Sequence, residues 1–378
     1  MKILCVANFL FGNISGAQSV AKTHIDVLYS TFGNENVNVF ALTGTEKVLC
    51  SKYKVRQVKS RPLVRICNLL SGNTGKINKE ITDEIINNIK RNNIKFVFID
   101  DSIYGKLVKK IKKKCDKVIV AVYYHDIKNN LCRQWIKHNP KKTPVYISLI
   151  YNEYLTQKYA DYNIVLNNRE ANMYKKYYNK YPEVFLPVIL PSQVCNIKKT
   201  SSYFKILFVG GYYYPNVNGF RWFVNNVLPI IKRKIYLHLV GNGMDKLKEE
   251  FSQFENIVVE GWIEDLRPIY ADANIIIGPI FEGAGMKVKT AEALSFGKIF
   301  VGTDESLEGY KERLPENLYN HYVFNCNSAE EFAEVIDSLD SNDYYIQEVK
   351  DFFEKNYSVY AASNIIKDII AGKYKKVN

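Results

Sequence analysis

The sequence predicts an α/β protein of two Rossmann-like, parallel-sheet domains facing a central cleft. Three observations carry that expectation. At 378 residues the chain exceeds one ordinary core and suits two domains of roughly 200 residues or fewer. Two segments, Lys2-Ile-Leu-Cys-Val-Ala7 and Lys205-Ile-Leu-Phe-Val-Gly210, open on the same tripeptide 203 residues apart. Behind each, short apolar runs alternate with stretches of helical period, the pattern of parallel strands joined by helices.

Taken in order, the first apolar run leads into a loop with Gly12 and Gly16 and a helical pattern from Ala17 to Leu28. Further strands are predicted at Val37 to Leu42, Lys95 to Ile99, Lys117 to Tyr123 and Tyr162 to Leu166. The second half repeats the scheme. A loop rich in Gly, Tyr, Pro and Asn precedes a helical pattern from Gly219 to Ile231, and strands follow at Ile235 to Val240, Ile257 to Glu260, Asn274 to Pro279 and Lys298 to Gly302. Leu190 to Ser202, with proline, serine and lysine, reads as the linker. The domains are therefore predicted at 1–195 and 196–356. A closing helical segment, 357–378 with its helix at Tyr357 to Ile370, is able to pack back on the first domain or on the second.

Composition narrows the class. Hydrophobic residues make up 47% and charged residues 24%, a globular balance. The seven cysteines are odd in number and lack CxxC spacing, which points to free thiols in a reducing compartment. The first residues form a strand-like run broken by Asn8 rather than a signal peptide, and no apolar stretch approaches the roughly 18 residues of a membrane span. A cytoplasmic protein is expected. Residues 51–117 hold 18 lysines and arginines against six acidic residues, nearly the whole net charge of +13. Such a face is ordinarily solvated, and it also suits reversible docking on an anionic membrane at its inner face. No nucleic-acid motif accompanies it.

The chemistry concentrates in Gly283-Ala-Gly-Met-Lys-Val-Lys-Thr-Ala-Glu-Ala-Leu294. A buried strand, a glycine loop and a helix start, expected at Met286, together make an anion site, because unpaired N–H groups and the helix dipole both favour negative charge. Lys287 and Lys289 add charge in the first turn. The plain alternative is a tight turn with solvated lysines. Glu292 lies three residues beyond Lys289, placed for an i,i+3 ion pair or as a carboxylate that accepts from ribose hydroxyls.

The stretch from Phe208 to Gly309 resembles the donor-binding domain of GT-B glycosyltransferases of the retaining family 4 group. The matching pieces are Phe208-Val-Gly210, Pro215-Asn216, Gly219, Trp222-Phe223, Val227, Pro229, Val240-Gly241-Asn-Gly243, Gly261-Trp-Ile-Glu-Asp-Leu266, the glycine segment, Val301-Gly-Thr303 and Glu308-Gly309. The resemblance implies that Glu292 holds the ribose. It further implies that the backbone of Met286, Lys287 and Val288 receives the diphosphate, that Gly285 before them is among the donor-binding residues, and that Trp262 and Ile263 lie against the base. Two departures stand out. Many members carry a glutamate eight positions before the ribose glutamate, where this chain has Ala284, so either Glu282 replaces it or that sugar contact is absent. Many also carry an arginine after the first strand and a lysine before the helix, where this chain has Gly211 and Asn218. Lys287, with Lys289 or Arg221, is expected to supply that charge.

In the first half, Gly16 resembles the glycine turn near the donor phosphate and acceptor, although a plain βα turn fits it as well. His125, in Tyr123-Tyr124-His125-Asp126, ends a strand, where a side chain meets ligands and an imidazole titrates near neutrality. Because family members often place a histidine here near the donor sugar, it is expected to hydrogen-bond the sugar and stabilise charge. The structural alternative is a histidine beside a helix capped by Asp126. Asp100-Asp101 reads as a helix cap, and the histidines at 24, 138, 238 and 321 lack comparable context.

The resulting expectation is a metal-independent glycosyltransferase of surface polysaccharide synthesis. It uses no cofactor beyond a nucleotide-sugar co-substrate, with a UDP-sugar foremost. Catalysis is assigned to His125, Glu282 and Lys287, and the acceptor is a glycan or a lipid-linked chain. The alternatives are a nucleotide-sugar-binding protein that has lost catalysis and a nucleotide-sugar epimerase on the same fold.

Overall fold

A computed structural model describes residues 1–7, 16–42, 55–58, 69, 71–74, 77–194, 203–340 and 345–374. The chain divides into two units, Met1–Ile189 with Ala362–Asn378, and Leu190–Ala361.

The first unit is built on a seven-stranded parallel sheet of order β3-β2-β1-β4-β5-β6-β7. Its strands are β1 (Ile3–Ala7), β2 (Val37–Leu42), β3 (Val55–Val58), β4 (Phe96–Ile99), β5 (Ile119–Tyr123), β6 (Tyr162–Val165) and β7 (Val184–Phe185). All five residues of β1 are buried, as a strand covered on both faces requires. The connecting helices are α1 (Gly16–Phe32), α2 (Lys79–Arg91), α3 (Gly105–Lys114), α4 (Lys128–His138), α5 (Thr143–Tyr159) and α6 (Asn168–Tyr178). Helix α2 buries Ile81, Ile85, Ile86 and Ile89, a stripe at helical spacing, and Asn78 caps it by accepting from the Ile81 N–H at 2.8 Å. Helix α3 turns Leu107, Val108 and Ile111 inward, leaves Lys113 and Lys114 exposed and half-buries its other four lysines.

The second unit holds a six-stranded parallel sheet of order β10-β9-β8-β11-β12-β13. Its strands are β8 (Phe204–Val209), β9 (Ile235–Val240), β10 (Ile257–Glu260), β11 (Ile275–Gly278), β12 (Ile299–Gly302) and β13 (Val323–Asn325). Helices α7 (Tyr214–Trp222), α8 (Arg267–Asp272), α9 (Val288–Ser295), α10 (Ala329–Ser338) and α11 (Gln347–Tyr357) belong to it, while α12 (Val359–Ile370) begins in this unit and ends in the first. The two parallel-sheet units bear out the predicted fold class. In each the strand order reverses beside the opening strand, at β1/β4 and at β8/β11, and open parallel sheets bind ligands beyond the carboxyl ends at such points.

Two helical expectations are corrected. The helix predicted from Gly219 starts at Tyr214, because Pro215 stands at its first turn where a missing N–H costs nothing. It then widens into a π-turn at Phe223–Val227 and stops in a 3-10 turn at Leu228–Ile230, which contains Pro229. The helix predicted from Tyr357 to Ile370 is broken at Ser358. That residue is extended, and its hydroxyl oxygen accepts from the Ala361 N–H at 3.2 Å, capping a new helix. Among the described residues no helix is long and apolar enough to cross a membrane.

Candidate functional site

Two loops flank the β8/β11 reversal of the second unit, one after Val209 and one from Pro279 to Lys287. The second is fixed from below. The Thr303 hydroxyl donates to the Ile280 carbonyl and the Ser306 hydroxyl to the Gly278 carbonyl. Tyr310 donates its hydroxyl to the Lys287 carbonyl at 2.8 Å. Gly285 sits at φ +64°, a left-handed turn that a side chain would strain. Helix α9 opens at Val288, later than the predicted Met286, because Lys287 is still extended at φ −81°, ψ 116°. Met286 is buried in the loop, and Lys287 makes no side-chain cap. The opening N–H groups of Val288 and Lys289 thus lack acceptors within the helix, at its positive end.

The two lysines separate in role. Lys287 folds back to Glu305 at 2.6 Å and reaches the carbonyls of Ala284 and Gly285, so it clamps the loop. The expectation that it delivers charge to a ligand is thereby changed, since a carboxylate already faces it. Lys289 is buried, its Nζ donating to Asn216 Oδ1 at 2.7 Å and lying 4.1 Å from the centre of the Phe208 ring. Burial, reinforced by neighbouring Lys287, lowers its pKa to about 7. A Cβ on Gly210 would stand 2.9 Å from Asn216 Nδ2 and 3.1 Å from Lys289 Nζ, so the glycine lets the first loop close over this lysine.

Glu292 does not take up the ion pair with Lys289. It accepts from the Tyr270 hydroxyl at 2.9 Å, and burial raises its carboxyl above the usual range. Tyr270 is in turn stacked on Phe296 at 4.2 Å. Trp262 is exposed and Ile263 half-buried in the loop after β10. Gly211 offers its carbonyl to Asn216 Nδ2 at 2.8 Å. Glu282 is exposed on the glycine loop. Arg221 is held in a bidentate pair with Glu250, both contacts 2.7 Å, which removes the reason for assigning its charge to the loop. A cavity of about 590 Å³ lined by Tyr203, Lys234, Ile235 and Asn256 lies at the amino ends of the strands, opposite these loops.

The first unit presents a second cluster at its own reversal. Asp100, fully buried after β4, accepts from His24 Nδ1 at 2.8 Å, and His125 Nε2 lies 3.3 Å from the same Oδ1 and 3.2 Å from the Asp100 carbonyl. Burial alone would raise this carboxyl, but His125 and His24 hold it down at about 2. Burial likewise opposes an imidazolium at His125, yet the Asp100 carboxylate outweighs it and the pKa is raised. Since both groups facing Nε2 are acceptors, Nε2 carries a proton and Nδ1 is the nitrogen that titrates. Reading Asp100 as a cap and His24 as lacking context is therefore corrected. Those residues lie 76 positions apart, and only the fold joins them. Asp101 is no helix cap either: it accepts from the Ile103 N–H at 3.4 Å, ahead of helix α3, whose start at Tyr104 has no side-chain cap.

Asp126 does not cap α4 either. The buried Glu153 of α5 does, accepting from the N–H groups of Lys128 at 2.7 Å and Asn129 at 2.8 Å. Gly16 opens α1, and the loop that precedes it lies outside the described residues.

Comparison with known proteins bears on the second unit first. Residues 203–342 match the Glycosyl transferases group 1 family model. The matched segment contains every residue of the glycine loop and of α9. Over 116 residues the chain is 31% identical to a Klebsiella pneumoniae protein described as an uncharacterized 44.6 kDa protein in the cps region. That alignment spans 28% of this chain and 30% of the relative's length. Solved structures with the same fold cover nearly the whole chain. The apo form of the lipopolysaccharide outer core galactosyltransferase WaaB has a TM-score of 0.67 at 14% identity, covering 99% of this chain and 100% of that one. Anabaena Alr3699/HepE, in complex with UDP and glucose, has a TM-score of 0.66 at 13% identity, covering 98% and 100%. A glycosyltransferase from Rickettsia africae has a TM-score of 0.68 at 15% identity, covering 98% of each. The fold is GT-B.

Proposed function

We propose that the chain is a glycosyltransferase that moves a sugar from a nucleoside diphosphate sugar, a UDP-sugar foremost, to a glycan or lipid-linked acceptor in surface polysaccharide synthesis, with retention and without a metal. One observation carries the reading. Within the family-matched segment, Lys289 is the second residue of a helix whose start has no side-chain cap, and Glu292 follows on the same helix. The helix start and Lys289 receive the diphosphate, Glu292 receives the ribose, and Trp262 with Ile263 flank the base. As the glycosidic bond breaks, negative charge grows on the departing diphosphate, where these groups stabilise it. Glu282 is the carboxylate placed to meet the sugar in place of Ala284. His125 is the hydrogen-bonding group contributed by the first unit. The cps-region relative and the UDP and glucose held by HepE support the substrate class.

Calorimetric titration with UDP-, GDP-, dTDP- and CMP-sugars tests the reading. One of them binds with micromolar or better affinity, Glu292→Ala weakens it at least tenfold, and proton NMR of the product shows a retained anomer. Absence of binding by all four would sink the assignment. A second reading, a nucleotide-sugar-binding protein without turnover, is favoured by Ala284 and by the engagement of Lys287 with Glu305. Binding without product across a broad acceptor panel selects it.

A further inference from the structure

Helices α4 and α5 of the first unit carry an apolar and basic surface to which the proposed sugar transfer assigns no residue. Residues 127–152 contain five lysines and arginines and no aspartate or glutamate. On α5, Ile147, Tyr151 and Tyr154 fall at i, i+4 and i+7, one stripe of the helix, and each is about half exposed, at 56%, 45% and 47%. The opposite face is fully engaged: Ser148, Asn152, Leu155 and Thr156 are buried, and Asn152 Nδ2 donates to the Gly72 carbonyl at 3.0 Å. The stripe is thus not a frayed core face. Val145, near the start of α5, and Trp135 of α4 are also exposed, with the Trp135 ring 5.7 Å from that of Tyr146.

Charge selects the occupant. Arg133, Lys137, Lys141 and Lys142 are exposed around the stripe. The nearest acids in sequence are accounted for, since Asp126 pairs with Lys128 and Glu153 is buried at the start of α4. Helix α3, in the more basic stretch before it, is different. There Lys112 pairs with Asp161 at 2.7 Å, and Lys110 and Lys114 approach Asp83 at 3.4 and 3.7 Å. Tryptophan and tyrosine favour the boundary between water and hydrocarbon, where lysine and arginine stems reach the headgroups. An amphipathic face ringed by cations lies flat in that boundary.

We propose that the α4–α5 face docks this protein on an anionic lipid surface, with Ile147, Tyr151 and Tyr154 entering the interface and Arg133, Lys137, Lys141 and Lys142 on the headgroups. The contact is reversible and weakened by salt. Each cation contributes roughly fivefold to partitioning onto an anionic bilayer.

Flotation of the full chain with vesicles of phosphatidylcholine alone or mixed with phosphatidylglycerol tests it. The wild type floats with the mixed vesicles and little with phosphatidylcholine. The triple variant Ile147→Ser, Tyr151→Ser, Tyr154→Ser partitions at least roughly tenfold less. The triple variant Lys137→Glu, Lys141→Glu, Lys142→Glu loses the preference for phosphatidylglycerol. Circular dichroism and thermal melting check that both variants are folded. Hydrogen exchange on the wild type, which needs no variant, shows α5 protected when mixed vesicles are added. Flotation of the apolar variant equal to wild type overturns the proposal, as does failure of the wild type to bind either vesicle. So does sedimentation showing that the face joins two copies of the chain while vesicles stay unbound. None of these readouts requires sugar transfer, so the result stands apart from the enzymatic reading.

Discussion

Two buried ion-capable side chains dominate at the scale of single residues. Lys289, with its pKa lowered to about 7, is largely neutral in the empty protein above that pH. A diphosphate beside it favours the ammonium, so donor binding takes up a proton, and affinity is level below about pH 7 and falls up to tenfold per unit above it. Calorimetry in buffers of different ionisation heat measures that proton directly. Lys289→Met binds at least roughly tenfold more weakly at low pH and loses the pH dependence. For the empty protein the sign is the reverse of a salt bridge. The unfolded lysine binds its proton up to about 10.4, so stability rises with pH between about 7 and 10.4. Asp100 behaves conventionally. Its pairing with His125 contributes stability that is present below the unfolded histidine value of about 6.5 and is lost as pH rises through the raised folded value. Asp100→Asn removes that dependence and costs about 3 kcal/mol by urea unfolding. NMR titration of labelled histidine then finds the His125 pKa lowered. Lys289 was legible because it stands in a motif. Its contact with Asn216, 73 positions away, was not, and neither was the His24–Asp100 pair, because neither contact leaves a local pattern.

Elements were read well where one local rule decided them. The strands β1, β2, β8, β9 and β10 are unbroken or nearly unbroken runs of strand-forming residues between turn signals, and their limits follow the sequence closely. The edge strands β7 and β13 are two and three residues long, too short to show a period, and β3 lies in a segment dense in charge. Helix starts failed where tertiary partners replaced local caps. Helix α4 takes its cap from Glu153, 25 residues on, which its own sequence does not announce. Glu153→Ala leaves two N–H groups and the Ser102 and Tyr178 hydroxyls without their acceptor, and lowers stability by about 3 kcal/mol in chemical denaturation. The local counterpart is α10, where Ser328 and Glu331 form a reciprocal capping box. Ser328→Ala there costs only about 1 kcal/mol.

At the scale of the whole molecule, the last helix belongs mostly to the unit that the chain left at residue 189. Ile366 and Ile369 are buried, and Ser363 meets Ser30 at 3.3 Å. A chain ending at residue 361 is expected to lower the calorimetric melting of the first unit while leaving that of the second in place, since two buried isoleucines are worth about 3–6 kcal/mol together. The parallel between the units goes further than strand order. His24 and Asp100 bridge the segments that follow β1 and β4, and Asn216 and Lys289 bridge those that follow β8 and β11. Each half therefore carries its own polar latch at the equivalent seam, one built from a carboxylate and imidazoles, the other from an amide and an amine. Because the latches are chemically unlike, acid that protonates the carboxylate seam leaves the amide–amine seam closed, so the two halves are expected to loosen at different pH.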